Sequence, residues 1–156
     1  MGEAVIHTPL GTVHIEGGPA GVRSIRIGDH RDVPETVPPS LEPVCRQLRE
    51  YFDGERKRFE LPMDPAGTDF QKTVWKALGD IPYGKTISYM DLAKKLGDPK
   101  AIRAVAAANG KNPLWVVVPC HRVVGSDGSM TGYAGGIHRK KWLLNHESQN
   151  PQQSLF

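Results

Sequence analysis

Near the N-terminus, β-prone residues come in short runs broken by turn-forming ones. The runs are Ala4–Thr8, Thr12–Glu16 and Val22–Ile27, separated by Pro9-Leu10-Gly11 and by Gly17-Gly18-Pro19-Ala20-Gly21. This spacing predicts strands joined by tight turns. Proline-rich Asp32–Ser40 reads as a loop. From Leu41 the period changes: Leu41, Val44, Leu48 and Tyr51–Phe52 recur close to helical spacing until Gly54. Phe59–Leu61 suggests one more strand before Pro62–Gly67, a candidate boundary.

Beyond that boundary the pattern is mainly helical. Thr68 and Gln71 have capping-box spacing, with Phe70, Val74, Ala77 and Leu78 on one face until Gly79. Ser88 and Asp91 repeat the start signal, Leu92 and Leu96 face inward, and Gly97 closes the helix. Asp98 and Pro99 suit the start of another helix, which Gly110 ends. Two short helices joined so tightly predict a helix-turn-helix. Leu114–Val118 is a continuous apolar run and reads as a buried strand. A Gly/Ser-rich loop, Gly125 to Gly136, leads into a last helix, His138–Glu147, and the polar tail from Ser148 is expected to fray. The expected division is therefore 1–66, 67–147 and a tail 148–156: an α+β chain with an antiparallel sheet plus helix first, and a mainly helical part second.

Composition adds little, but charge adds an asymmetry. Residues 1–66 hold 8 Lys+Arg against 11 Asp+Glu, whereas residues 67–156 hold 12 against 6. A basic second part carried by an acidic first part suits a polyanion partner, although a merely solvated basic face would look the same. No run approaches the roughly 20 apolar residues of a membrane span, so no membrane partner is expected. The start lacks the basic and apolar regions of a secretory signal. Cys45 and Cys120 form neither a disulfide framework nor a CxxC pair. Histidines and cysteines lack zinc-ligand spacing, so no metal is expected. A reducing, cytoplasmic setting fits best.

The second helix of the helix-turn-helix, Lys100–Ala108, leaves mostly methyl groups outward once Ile102 and Val105 face the body, with Lys100 and Arg103 beside them. Such a face has almost no vocabulary for reading base edges, but it permits close approach to a narrow surface such as the minor groove. An alanine-rich helix packed inside a small domain is an equal reading of this stretch. Cys120 lies just past the apolar run in Val118-Pro119-Cys120-His121-Arg122-Val123. Free cysteine is often inert core. Here Pro119 tends to end strand pairing, and His121 and Arg122 supply positive character that favours a nucleophilic thiolate. Neighbours in a strand point to opposite faces, so Cys120 and His121 need a turn or a bridging water to cooperate. Glu147 is the best-placed carboxylate to orient the imidazole. Cys45, within an amphipathic helix, reads as core.

Val118-Pro119-Cys120-His121-Arg122-Val123-Val124-Gly125 resembles the active-site signature of the O6-alkylguanine-DNA alkyltransferases. The resemblance continues through Ile81-Pro82-Tyr83-Gly84, Ile87-Ser88-Tyr89, Arg103-Ala104-Val105, Asn109 to Pro113, Gly132-Tyr133-Ala134-Gly135-Gly136 and Trp142-Leu143-Leu144. It covers roughly Gly67 to Glu147 in order; the N-terminal part matches loosely, through Thr8-Pro9-Leu10-Gly11 and Tyr51-Phe52-Asp53-Gly54. The resemblance implies a ribonuclease-H-like first domain and a winged or helix-turn-helix second one. It implies single-use transfer of an alkyl group from O6 of guanine, with O4 of thymine a second candidate, to Cys120.

By that resemblance His121 is the base acting through a water, and Glu147 orients it. Asn112 ties the turn after the recognition helix to the active-site segment, and Tyr89 helps rotate the nucleotide and assists the leaving guanine. Arg103 fills the vacated base stack, with Lys100, Ala101, Ala104, Asn109 and Arg122 completing the DNA-facing set. Val123, Tyr133, Ala134, Gly135 and Gly136 wall the base pocket; where some members carry Ser, Ala134 offers only its backbone. The implied partner is double-stranded DNA bound through the minor groove by a monomer, with no cofactor. The cysteines of the zinc-binding members are missing from the N-terminal part. Three rivals remain: an alkyltransferase-like lesion binder, which would replace Cys120; a thiol hydrolase; and a sequence-specific regulator.

Overall fold

The computed structural model describes residues 2–29, 32–128, 133 and 135–152. The chain divides into two compact units, Met1–Ala66 with Pro113–Trp115, and Gly67–Asn112 with Val116–Phe156. Among the described residues, no helix is long and apolar enough to cross a membrane.

In the first unit, β1 (Gly2–Thr8), β2 (Gly11–Gly18) and β3 (Gly21–Gly28) form an antiparallel meander. Register follows the alternation of side chains: Ala4 faces Ile15, Ile6 faces Val13, and Ile15 faces Ile25, all buried on one face. A two-residue turn, Pro9-Leu10, joins β1 to β2, and the Thr8 hydroxyl secures it by donating to the Gly11 carbonyl and accepting from the Leu10 N–H. Gly21 has φ +138°, and a Cβ there would meet the Pro62 carbonyl at 2.5 Å, so the close approach of Pro62–Met63 to β3 requires glycine. A 3-10 turn at Pro39–Leu41 leads into α1 (Glu42–Phe52), whose Val44, Cys45, Leu48 and Tyr51 supply the buried helical stripe.

Two expected strands are not formed. Phe59–Leu61 runs as irregular chain: the Gln47 side-chain amide accepts from the Glu60 N–H and donates to its carbonyl, so an amide replaces a strand partner. Leu114–Val118 is buried as its composition demands, yet Val116 takes φ 71° and the run turns. Its beginning pairs with β3, where Ile25 N–H donates to Pro113 O and Trp115 N–H to Ile25 O. This bridge places Pro113–Trp115 in the first unit instead of the second.

The second unit starts with α2 (Asp69–Gly79), opened by the reciprocal capping box of Thr68 and Gln71. β4 (Ile87–Ser88) leads directly into α3 (Tyr89–Lys95), whose N-cap Ser88 accepts from the Asp91 N–H. Gly97, at φ +96°, makes the tight turn to a 3-10 segment, Pro99–Ala101, and then α4 (Ile102–Gly110). Asp98 caps this start by accepting from the Lys100 N–H. Val105, Ala108 and Asn109 form the buried side of α4, and the Trp75 indole of α2 donates to the Ala108 carbonyl at 2.8 Å. β5 (Val123–Val124) pairs in parallel with β4. The last helix, α5 (Ile137–Gln152), continues past Glu147 into the segment expected to fray.

Candidate active site

Proline sets the backbone around Cys120. Pro119 sits at φ −82°, ψ 65°, and the Cys120 N–H bonds back to the Val118 carbonyl at 2.8 Å. That is an inverse γ-turn, compatible with the restricted φ of proline. Cys120–Arg122 then coils into one 3-10 turn, closed by the Arg122 N–H on the Pro119 carbonyl. This turn removes the obstacle that an extended strand would have placed between Cys120 and His121. Two amides from the end of α4 and just beyond hold it. Asn112 Nδ2 donates to Val118 O at 2.7 Å, and Asn109 Nδ2 to Cys120 O at 3.4 Å.

Behind the cysteine lies a buried polar triad. His121 Nε2 is 2.7 Å from Glu147 Oε2, while Arg122 Nε and Nη2 donate to the same carboxylate at 2.8 and 3.0 Å. Arg122 Nη1 also donates to the Ile81 carbonyl at 2.7 Å. His121 and Glu147 are at most 1% exposed. Burial alone would favour a neutral Glu147, but hydrogen bonds and charge from His121 and Arg122 outweigh it and hold the carboxyl at about 2. Burial pushes the His121 imidazole below its usual range. The resting arrangement is therefore an ionised Glu147 paired with Arg122 and a neutral His121 whose Nε2 carries the proton. The other nitrogen, Nδ1, has no hydrogen-bond partner among the described residues.

Burial also pushes the Cys120 thiol up, opposed by hydrogen bonds from Asn112 and Tyr133 and by the charge of Lys140. Lys140 is fully buried on α5, its Nζ 5.9 Å from the ring centroids of both Tyr89 and Tyr133. The β4–β5 pairing sets Ile87 opposite Val123, bringing the start of α3, and so Tyr89, to the cysteine turn. Burial raises the Tyr89 phenol and a charged Cys120 raises it further, while a hydrogen bond with Asn109 works the other way. Val123 is buried in β5, Tyr133 and Gly135 are buried, and Gly136 takes φ +92°. Ala134 lies outside the described residues.

The expected DNA-facing set separates in space. Lys100, Arg103 and Ala104 are exposed and Ala101 is half-buried. Asn109 and Arg122 do not join them: both are buried, and their polar groups serve Cys120 O, Tyr89, Glu147 and Ile81 O. The reason for Arg122 is geometric, since a 3-10 turn sends successive side chains about 120° apart. The positive charge beside the thiol is Lys140, a residue that no local motif singled out. A cavity of about 420 Å³ between Gly84, Val124, Leu144 and Glu147 lies behind the triad, and Cys120 does not line it. Among the described residues no group of three or more His, Cys, Asp or Glu side chains is placed to hold a metal.

Two family models match the chain. Residues 69–149 match the DNA-binding domain of 6-O-methylguanine DNA methyltransferase, and residues 1–65 match its ribonuclease-like domain. A methylated-DNA–protein-cysteine methyltransferase of Methanosarcina barkeri is 41% identical over 94% of this chain and 96% of its own length. The Mycobacterium tuberculosis protein of that name is 41% identical over 96% and 94%. The Mycobacterium tuberculosis O6-methylguanine methyltransferase crystal structure superposes with a TM-score of 0.83 at 42% identity, covering 94% of this chain and 92% of that one. The OGT protein of that organism, solved in complex with DNA, superposes with a TM-score of 0.85 at 41% identity, covering 95% and 93%. The chain therefore belongs to the 6-O-methylguanine DNA methyltransferase family.

Proposed function

We propose that this chain repairs DNA by direct reversal, moving an alkyl group from O6 of guanine to the Cys120 sulfur, once per molecule. The observation that carries this reading is the buried set Glu147–His121 beside a thiol supported by Asn112, Tyr133 and Lys140. Glu147 holds the proton of His121 on Nε2, which leaves Nδ1 as the base. Nδ1 takes the thiol proton through a water, and Lys140 stabilises the thiolate. The sulfur then attacks the alkyl carbon, forming the S–C bond as the C–O6 bond breaks. The electron pair leaves on guanine, which regains one proton at N1, so the thiol proton balances the reaction. Tyr89 donates toward O6 as charge develops there. The thioether product is stable, so the acceptor is consumed.

O6 of a stacked base is beyond reach of a buried thiol, so the nucleotide is flipped out, at a cost of roughly a few kcal/mol. Exposed Arg103 on α4 fills the gap in the stack, and the small Ala104 lets the helix enter the minor groove. Lys100 meets the phosphates, making binding salt-sensitive and nearly independent of sequence. The DNA complex of the Mycobacterium tuberculosis relative supports the partner class.

The test is intact-mass and peptide mass spectrometry after mixing the protein with duplex DNA carrying one O6-methylguanine. One methyl gained on the Cys120 peptide, lost from the DNA and without turnover, is expected. Tight lesion binding with no methyl on Cys120 would replace transfer with lesion recognition alone.

A further inference from the structure

Helix α5 begins at a glycine N-cap. The Gly136 carbonyl accepts from both the Arg139 and Lys140 N–H groups at 3.1 and 3.2 Å, so it closes the first helical turn. Gly136 itself lies at φ +92°, which breaks the helical path and turns the preceding peptide aside. The carbonyl of buried Gly135, one residue before the N-cap, lies outside the helical ladder and needs another donor. The Arg139 guanidinium supplies one instead, Nη1 donating to Gly135 O at 2.9 Å, and Arg139 is itself only 7% exposed. A charged donor on a buried carbonyl makes a strong, directional hydrogen bond. The Gly136 N–H bonds back to the Tyr133 carbonyl at 3.0 Å, so the fastened backbone ends at the tyrosine whose ring lies 5.9 Å from Lys140 Nζ and which favours the thiolate of Cys120. At that φ any residue with a Cβ would be strained at position 136.

We propose that Arg139 is a positioning residue for the transfer reaction: by fastening the Gly135 carbonyl to α5 it holds Gly135, Gly136 and, through the Gly136 N–H, Tyr133 beside Cys120. This inference rests on the alkyl-transfer reading of the site. Arg139 touches no reacting atom. Its neighbour Lys140 acts on the thiol by charge, whereas Arg139 fixes the distance of the wall that carries Tyr133. Loss of the tether loosens the place where the base and its alkyl group must sit, without altering His121 or Glu147.

The experiment compares single-turnover transfer from O6-methylguanine duplex to Cys120 in the wild type, Arg139→Met, Arg139→Gln and Arg139→Lys. Each is measured against protein concentration to separate the half-saturating concentration from the limiting rate. Misplacement of a reacting group by about an ångström costs up to roughly a hundredfold. Arg139→Met is expected to lower the limiting rate by roughly ten- to a hundredfold on that scale, with half-saturation for duplex within about twofold of wild type. A benzyl-sized O6 substituent should lose more than methyl, because it reaches further along the turn. Arg139→Lys and Arg139→Gln, which each keep a donor, should recover part of the rate. The midpoint of iodoacetamide capture of Cys120 should move upward in Arg139→Met, because the loosened turn carries Tyr133 away from the thiol it helps to ionise. Wild-type limiting rates in both Arg139→Met and Arg139→Gln would overturn the inference, as would an iodoacetamide midpoint that does not move or losses that merely track melting temperature. A wild type that transfers nothing would overturn the transferase reading and this inference with it.

Discussion

The chain hides two cysteines, and their surroundings differ far more than their exposure. Cys45, on the inner stripe of α1, is 1% exposed; Cys120, on its 3-10 turn, is 5% exposed. Burial pushes the Cys45 thiol up to about 11, and the charges of Glu42 and Glu35 reinforce it against Arg49. Burial also pushes Cys120 up, but there Asn112, Tyr133 and Lys140 all favour the thiolate. His121 stands next to Cys120 in sequence, its Nε2 2.7 Å from Glu147 Oε2. Accessibility alone therefore does not distinguish the two thiols; their surroundings do. Donors, a buried cation and an oriented imidazole separate a nucleophile from core packing.

The largest effect should come from exchanging the two residues' fates. Cys120→Ser should abolish methyl gain in the mass-spectrometric assay, whereas Cys45→Ala should leave the transfer rate unchanged. Methyl on Cys45 in wild-type protein would erase the distinction.

Next comes the carboxylate. Glu147→Gln leaves Arg122 buried without its counter-charge, a loss of roughly 3–5 kcal/mol for a broken buried pair, measurable by urea unfolding. The pH dependence has a definite sign. Because the folded carboxyl titrates at about 2 against an ordinary 4.5, its stabilisation is present above pH 4.5 and is lost as pH falls toward 2. His121, held neutral by burial, adds a loss in the same direction, beginning as pH drops below its ordinary 6.5. Urea midpoints should therefore fall on acidification, and the Glu147→Gln protein should lack the lower of the two steps. An unchanged lower step in that variant would show that another carboxyl produces it.

Lys140→Met sharpens the comparison by making the surroundings of Cys120 more like those of Cys45. The transfer rate near neutral pH should fall about tenfold for each unit by which the thiol rises. The midpoint of the pH–rate profile should move upward, so that alkaline pH restores part of the rate. An unmoved midpoint would assign Lys140 to packing. The smallest effect is expected away from both cysteines. Thr68→Ala removes half of the capping box on α2 and should cost about 1 kcal/mol of stability, seen as a slightly lower melting temperature with transfer unaffected.

Local patterns determined much of this protein. Alternation and turn residues place the three-stranded meander, apolar periodicity places α1 and α2, and Thr68, Ser88 and Asp98 mark helix starts that are capped in the fold. These are interactions within a few residues, and the side chains involved write them into the chain. The Pro119-Cys120-His121 segment, too, was legible as candidate chemistry.

Tertiary structure decided the rest. An apolar run such as Leu114–Val118 states only that it is buried, and a turn through Val116 buries it as well as a strand does. Phe59–Leu61 lost its expected strand to one distant amide, Gln47. Arg122 is basic whether it faces phosphate or Glu147, and only the direction of the 3-10 turn selects the second. The same holds for Lys140 on α5, whose charge acts on the thiol of Cys120. The physical reason is common to all of them. Charge and hydrogen-bonding capacity belong to a residue, but which partner uses them depends on groups far away in the chain that folding brings within about 3 Å.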